Sequence, residues 1–139
     1  MSHSLATLRF STSPITEHMK WSMTMNVVVV QGVLKKEPVE RTLPAGNTVM
    51  DWSVSVEVAG KKWSVPVQWN EPSKAVRRLG QGDVVVVLGA VQQRFFQAGG
   101  SLASRTEVVG ELVAKPSQRV ATRKILDRAR EALTSGTNP

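Results

Sequence analysis

The sequence predicts an all-β domain: a small closed barrel of five strands with a short helix between the third and fourth, followed by an amphipathic C-terminal helix. Three observations carry that expectation. Val-rich segments with a period of two recur between residues 27 and 114. Gly and Pro clusters punctuate them at short intervals. Beyond residue 115 the apolar spacing changes to three and four, the period of a helix. At 139 residues the chain has a one-domain length, enough to bury a core without covalent staples. It contains no cysteine, which excludes a disulfide scaffold, a thiol nucleophile and a cysteine-ligated zinc.

Residues 1–24 mix Ser, Thr, His and Met without a sustained period and read as a flexible arm, with Met25 a second candidate start. The first strand is 27–34, and Pro38, Pro44 and Gly46 mark an irregular connection after it. The second, 48–58, sets Trp52, Val54, Val56 and Val58 on one face and Ser53, Ser55 and Glu57 on the other. Ala59 and Gly60 turn the chain into the third strand, 61–69. The run from Asn70 to Ser73 is a helix entry, and 73–79 is a short helix stopped by Gly80 and Gly82. The fourth strand, 83–96, carries Gly89 where a bend or bulge would let the sheet curl. Residues 97–101 form a flexible tip and 104–114 the fifth strand. Five strands with one short helix between the third and fourth is the order of an OB-fold barrel, here spanning 25–114. In 115–139, Pro116 and Ser117 open the last helix, with Ala121, Ile125, Ala129 and Ala132 or Leu133 opposite Arg119, Arg123, Lys124 and Arg128.

The net charge is +7, with a pI near 10.4, a balance that favours polyanionic partners. It is unevenly placed: residues 25–114 hold ten bases against eight acids, whereas 115–139 hold six against two. The longest apolar runs, 27–30 and 84–88, fall far short of the roughly 18 residues of a membrane helix. The start of the chain lacks a continuous apolar stretch and a cleavage signature, so a cytoplasmic protein with no membrane association is expected.

Catalytic sets are missing from the pattern. His3 and His18 both lie in the arm, and Asp51, Asp83, Glu107 and Glu111 have no ligand or acid–base spacing. Neither Gly80-Gln81-Gly82 nor Gly99-Gly100 leads into a phosphate loop. No enzyme activity, metal or cofactor is expected. Binding to a single nucleic-acid strand needs aromatic rings for bases and cations for phosphates, and both are present. The candidate rings are Trp63, Trp69 and Phe96; the candidate cations are Arg94, Lys61, Lys62, Lys35, Lys36, Arg77 and Arg78. Trp63 and Trp69 share a strand face with Val65 and Val67, about 20 Å apart. Alternation by itself would place both in the core, and a one-residue bulge near Pro66 would turn one outward. Periodicity therefore leaves both core and stacking open for them, while Trp52 reads as core. Phe95 and Phe96, being adjacent, point to opposite faces.

Taken in order, these segments resemble the bacterial single-stranded DNA-binding protein family over residues 26–113. Residues 26–34 look like its opening strand, and Glu37-Pro38, Arg41, Pro44 and Gly46 are similar to the connection that follows. Trp63 and Trp69 stand where the family has a Trp followed six residues later by an aromatic. Residues 82–89 with Arg94-Phe95-Phe96 resemble the long strand ending in a basic-aromatic group, and 105–109 the last strand. The resemblance implies an OB-fold that forms a homotetramer, binds single-stranded DNA regardless of sequence, and serves replication, recombination and repair in association with the nucleoid. It also implies that Trp63, Trp69 and Phe96 are stacking platforms.

The hairpin at 58–61 lacks the aromatic that the family usually carries there, and a basic helix stands where the family has an acidic, partner-recruiting tip. Those departures point to a secondary or specialised paralogue, or a shortened form, with recruitment of replication and repair proteins by that route in doubt. Two alternatives are a dimeric primosomal replication-restart adaptor of the PriB type and a protein-interaction module that uses the barrel as a scaffold. The terminal helix itself has three readings: packing on the barrel or a neighbouring subunit, an additional nucleic-acid clamp, or a partner-docking element.

Overall fold

The computed structural model describes residues 24–135; all but the last residue of the expected arm lies outside the described residues. The elements run β1 (Val28–Leu34), β2 (Val39–Thr42), β3 (Thr48–Val58), β4 (Lys61–Asn70), α1 (Lys74–Arg77), β5 (Val84–Ala98), β6 (Ser101–Ala114) and α2 (Arg119–Ser135). Strands are ordered β1-β5-β6-β4-β3-β2, and a further β1–β3 pairing at Val33–Ser55 and Leu34–Val54 closes five of them into a barrel.

The closed five-strand barrel and the C-terminal helix match the expectation, and three details differ from it. The connection after β1 contains a short sixth strand, β2, paired to β3 from Val39–Asp51 to Thr42–Thr48. Between the β1 and β2 pairings, residues 35–38 stand opposite only residues 52 and 53. The chain bulges there and then resumes along the same edge of β3. Proline at 38 and 44 obscured this strand in the sequence, because both belong to its flanks and not to its ladder. The expected helix at 73–79 is a single turn, Lys74–Arg77, capped by the Ser73 hydroxyl on the Val76 N–H. The tip expected at 97–101 is a two-residue turn: Gly99 and Gly100 have φ of +58° and +83°, the left-handed pair that a tight hairpin needs.

β5 explains the unbroken apolar run at 84–88. Val85 and Val87 face the barrel interior, where they pack with Leu34, Trp52, Val54, Val67 and Val108. Val86 and Leu88 face outward and are covered by Ile125 and Ala129 of α2. A strand buried on both faces loses its alternation. At Leu88/Gly89 the register with β6 slips by one, leaving Glu111 as the extra residue, and a Cβ on Gly89 would collide with the Val109 carbonyl. The expected bulge is therefore present, and Gly is needed because the neighbouring backbone is too close for a side chain.

Helix α2 packs on its own barrel through Ile125, Ala129 and Ala132, all buried. Ile125→Ala is expected to lower unfolding stability by about 2–5 kcal/mol, the usual cost of emptying a fully buried aliphatic site. Urea denaturation measures this, and a loss below about 0.5 kcal/mol would show that the helix contributes little to the fold.

Candidate nucleic-acid interface

β4 and β6 run parallel but pair only at Val67–Val108 and Gln68–Val109. Pro66, which has no N–H to donate, stands where β4 parts from β6. Towards their starts the two strands diverge, each bonded only to its hairpin partner, so the β3–β4 and β5–β6 hairpins leave the same end of the barrel as two arms. The faces that line the barrel interior continue outward along both arms and become exposed. On β3 the gradient is visible in one row: Val54 is fully buried, Val56 half-buried and Val58 exposed.

Trp63 and Trp69 occupy this single row of β4 at opposite ends of the gradient. Trp63 lies on the arm, paired with Val56, and is 57% exposed. Trp69 lies inside the barrel and is 4% exposed. Its ring meets Trp52 edge to face, with centroids 5.2 Å apart, and rests on Gly110, where a Cβ would come within 2.6 Å of the indole. The expectation that Trp69 is a stacking platform is therefore corrected: it is a core residue. No bulge separates the two tryptophans, since the β3–β4 register is continuous from Val49–Asn70 to Val58–Lys61. The barrel simply ends between them.

Phe95 and Phe96 divide between the faces of the second arm. Phe95 continues the interior face and is 61% exposed. Trp63 stands four positions before Val67, and Ser104, the partner of Phe95, stands four before Val108. Trp63 and Phe95 thus stand at matching heights above the β4–β6 junction, one on each arm. Sequence reasoning did not select Phe95, because the parallel pairing that sets this match joins residues far apart in the chain.

Phe96, 37% exposed, lies on the outer face with the Arg94 guanidinium 5.6 Å from its ring centroid. Arg94 is held there by Glu107, a carboxylate only 2% exposed, through contacts of 3.1 and 3.3 Å. Glu107 also accepts from the Gln92 amide at 2.9 Å and has Arg105 at 3.8 Å. Two arginines against one buried carboxylate leave this face with a net positive charge. Further along it, Arg41 is bound to Asp51 at 2.5 Å. That hydrogen bond holds Arg41 above the usual arginine range against the opposing effect of burial, so it stays charged.

The remaining candidate cations separate into two groups. Lys61 and Lys62 sit at the tip of the first arm, and Lys62 shares a hollow with Lys35 and Glu57 across the β1–β3 seam. Lys36 is exposed in the bulge after β1. Arg77 and Arg78 lie on and beside α1, between the end of β4 and the start of β5, at the opposite end of the barrel from the arms. Arg77 is committed to Glu40 at 2.6 Å. These two arginines do not join the aromatic site, because the turn into α1 reverses the chain at the far end of β4. Among the described residues no cluster of acidic or histidine side chains is arranged to hold a metal ion. No helix there is long and apolar enough to cross a membrane.

Comparison of the chain with protein-family models and with curated proteins gives no match.

Proposed function

We propose that the protein is an OB-fold binder of single-stranded DNA that acts without sequence preference and has no catalytic role. The observation that carries this reading is the pair of exposed rings, Trp63 and Phe95, raised to the same height on two arms of one barrel end. Phe96 with its Glu107-anchored Arg94 lies on the neighbouring face. Large aromatic rings facing water lose hydrophobic stabilisation in the free protein. Unpaired bases recover it by stacking, at about 1–3 kcal/mol per base, and any base serves because each has a π-face. Lys61, Lys62 and Lys35 supply phosphate contacts near the first arm. A homotetramer serving replication, recombination and repair belongs to the same proposal.

Titration of the intrinsic tryptophan fluorescence with oligo-dT, the matching duplex and RNA at two salt concentrations tests it. Single-stranded DNA is expected to quench the emission, through Trp63 among the described tryptophans, since Trp52 and Trp69 are enclosed. Quenching that persists undiminished in Trp63→Ala would exclude that ring as the contact. The affinity should fall with salt at a log–log slope of about −0.7 for each phosphate neutralised. Absence of quenching, or equal affinity for duplex, would exclude this reading and favour the protein-interaction module. Light scattering separates tetramer from dimer.

A further inference from the structure

At the end of the barrel remote from the arms, α1, β6 and the first turns of α2 enclose an open groove of about 580 Å³. Its floor and walls are aliphatic: Ala75, Leu112, Val113, Val120, Ala121 and Ile125. Two cations, Arg119 and Lys124, stand on its rim. A smaller hollow of about 150 Å³ adjoins it, sharing Ala75, Val113 and Gln118, and adds Arg78 and Lys115. Among the described residues no acidic and no aromatic side chain lines either hollow. Lys115 is paired with Asp83 at 3.7 Å, whereas Arg78, Arg119 and Lys124 have no ion pair among the described residues. Val120 is 82% exposed at the groove's edge, an unusual position for a β-branched residue in a helix that gains nothing from it locally.

We infer that this groove docks an extended acidic segment of another protein, with aliphatic side chains seated on the floor and carboxylates against Arg119, Lys124 and Arg78. Charge complementarity identifies the occupant as anionic, because the rim is cationic and unopposed. The wall chemistry distinguishes a peptide from a nucleic acid: bases bind by stacking on rings, and the described lining of this groove is Ala, Val, Leu and Ile with Gln118 and the two cations. The site lies at the pole opposite Trp63 and Phe95, so a partner held here leaves the arms open to a strand. Recruitment would then use a surface of the folded domain, with the partner supplying the acidic segment.

The test is fluorescence anisotropy of the full-length protein with three labelled peptides of about twelve residues, about 40 Å when extended. They alternate Asp with Leu, Asp with Ser, and Lys with Leu. The Asp–Leu peptide is expected to bind at least about tenfold more tightly than the other two, and Val120→Asp and Lys124→Glu should each weaken it about tenfold. Both positions are on the helix surface, and circular dichroism checks that the fold is retained. Failure of the Asp–Leu peptide to bind, or equal binding of the Asp–Ser peptide, would overturn the inference. Displacement of the peptide by oligo-dT, with Val120→Asp weakening DNA to the same extent, would assign the groove to nucleic acid instead. A drop in light-scattering mass on Val120→Asp would assign it to a second copy of the chain. The inference does not depend on DNA binding: a Trp63→Ala/Phe95→Ala protein should hold the peptide unchanged, so either reading can fail without the other.

Discussion

Replacing Trp63 and Phe95 together with alanine is expected to weaken oligo-dT binding about thirtyfold or more. Each ring lost removes about 1–3 kcal/mol of base stacking, and 2 kcal/mol in total already corresponds to about thirtyfold in affinity. Both residues are on exposed arms, outside the packed interior, so thermal stability should change by less than about 1 kcal/mol. Phe96→Ala added to the pair extends the loss if the strand also crosses the outer face, where Arg94 covers that ring. The salt slope should hardly change, because no cation is removed; only the intercept falls. Wild-type affinity in the double variant, measured by anisotropy because Trp63 is gone, would show that these rings are not platforms and that the arms serve something else.

The second large effect concerns stability and belongs to Trp69. Trp69→Ala is expected to cost about 3–5 kcal/mol, the range for truncating a large ring in a packed core. Part of that ring is seated on Gly110 and part against Trp52, two surfaces that do not collapse readily into a cavity. Trp69→Phe should cost less than Trp69→Ala, because a phenyl ring refills the space nearest the backbone and only the outer ring edge on Gly110 is lost. The Trp69 Nε1 is buried with no hydrogen-bond partner among the described residues, and phenylalanine removes that unpaired donor. Urea unfolding gives both values. If Trp69→Phe were as damaging as Trp69→Ala, the orphaned N–H would have to be satisfied in solution. If Trp69→Phe abolished DNA binding while leaving stability intact, the placement of Trp69 in the core would not describe the functional form.

The two tryptophans of β4 show why the candidate site was only partly legible. Alternation assigned Trp63 and Trp69 to one face correctly. It could not say that the barrel encloses one end of that face and releases the other, since the point of release depends on where β6 leaves β4. Phe95 was passed over for a related reason: its match with Trp63 arises through a two-residue parallel contact between strands forty positions apart in sequence. Glu107 carried no motif, yet it is buried and holds Arg94 beside Phe96; a carboxylate in an alternating strand gives no sign of which cations will surround it. Arg77 and Arg78 looked like neighbours of the aromatics because only the linear order was visible, and the reversal into α1 carries them to the other pole.

Residue order alone determined the β character, the tight turn at Ala59 and Gly60, the bulge at Gly89 and the apolar stripe of the last helix. These follow from local rules: alternation, the backbone freedom of glycine, and helical spacing act over a few residues. Which rings face water, which cations are spent on internal carboxylates, and that a cation-rimmed groove lies far from the arms were decided only when the barrel closed. Closure joins β1 to β3 and β4 to β6 across long stretches of chain, and burial is a property of that closed surface, which no window of sequence contains.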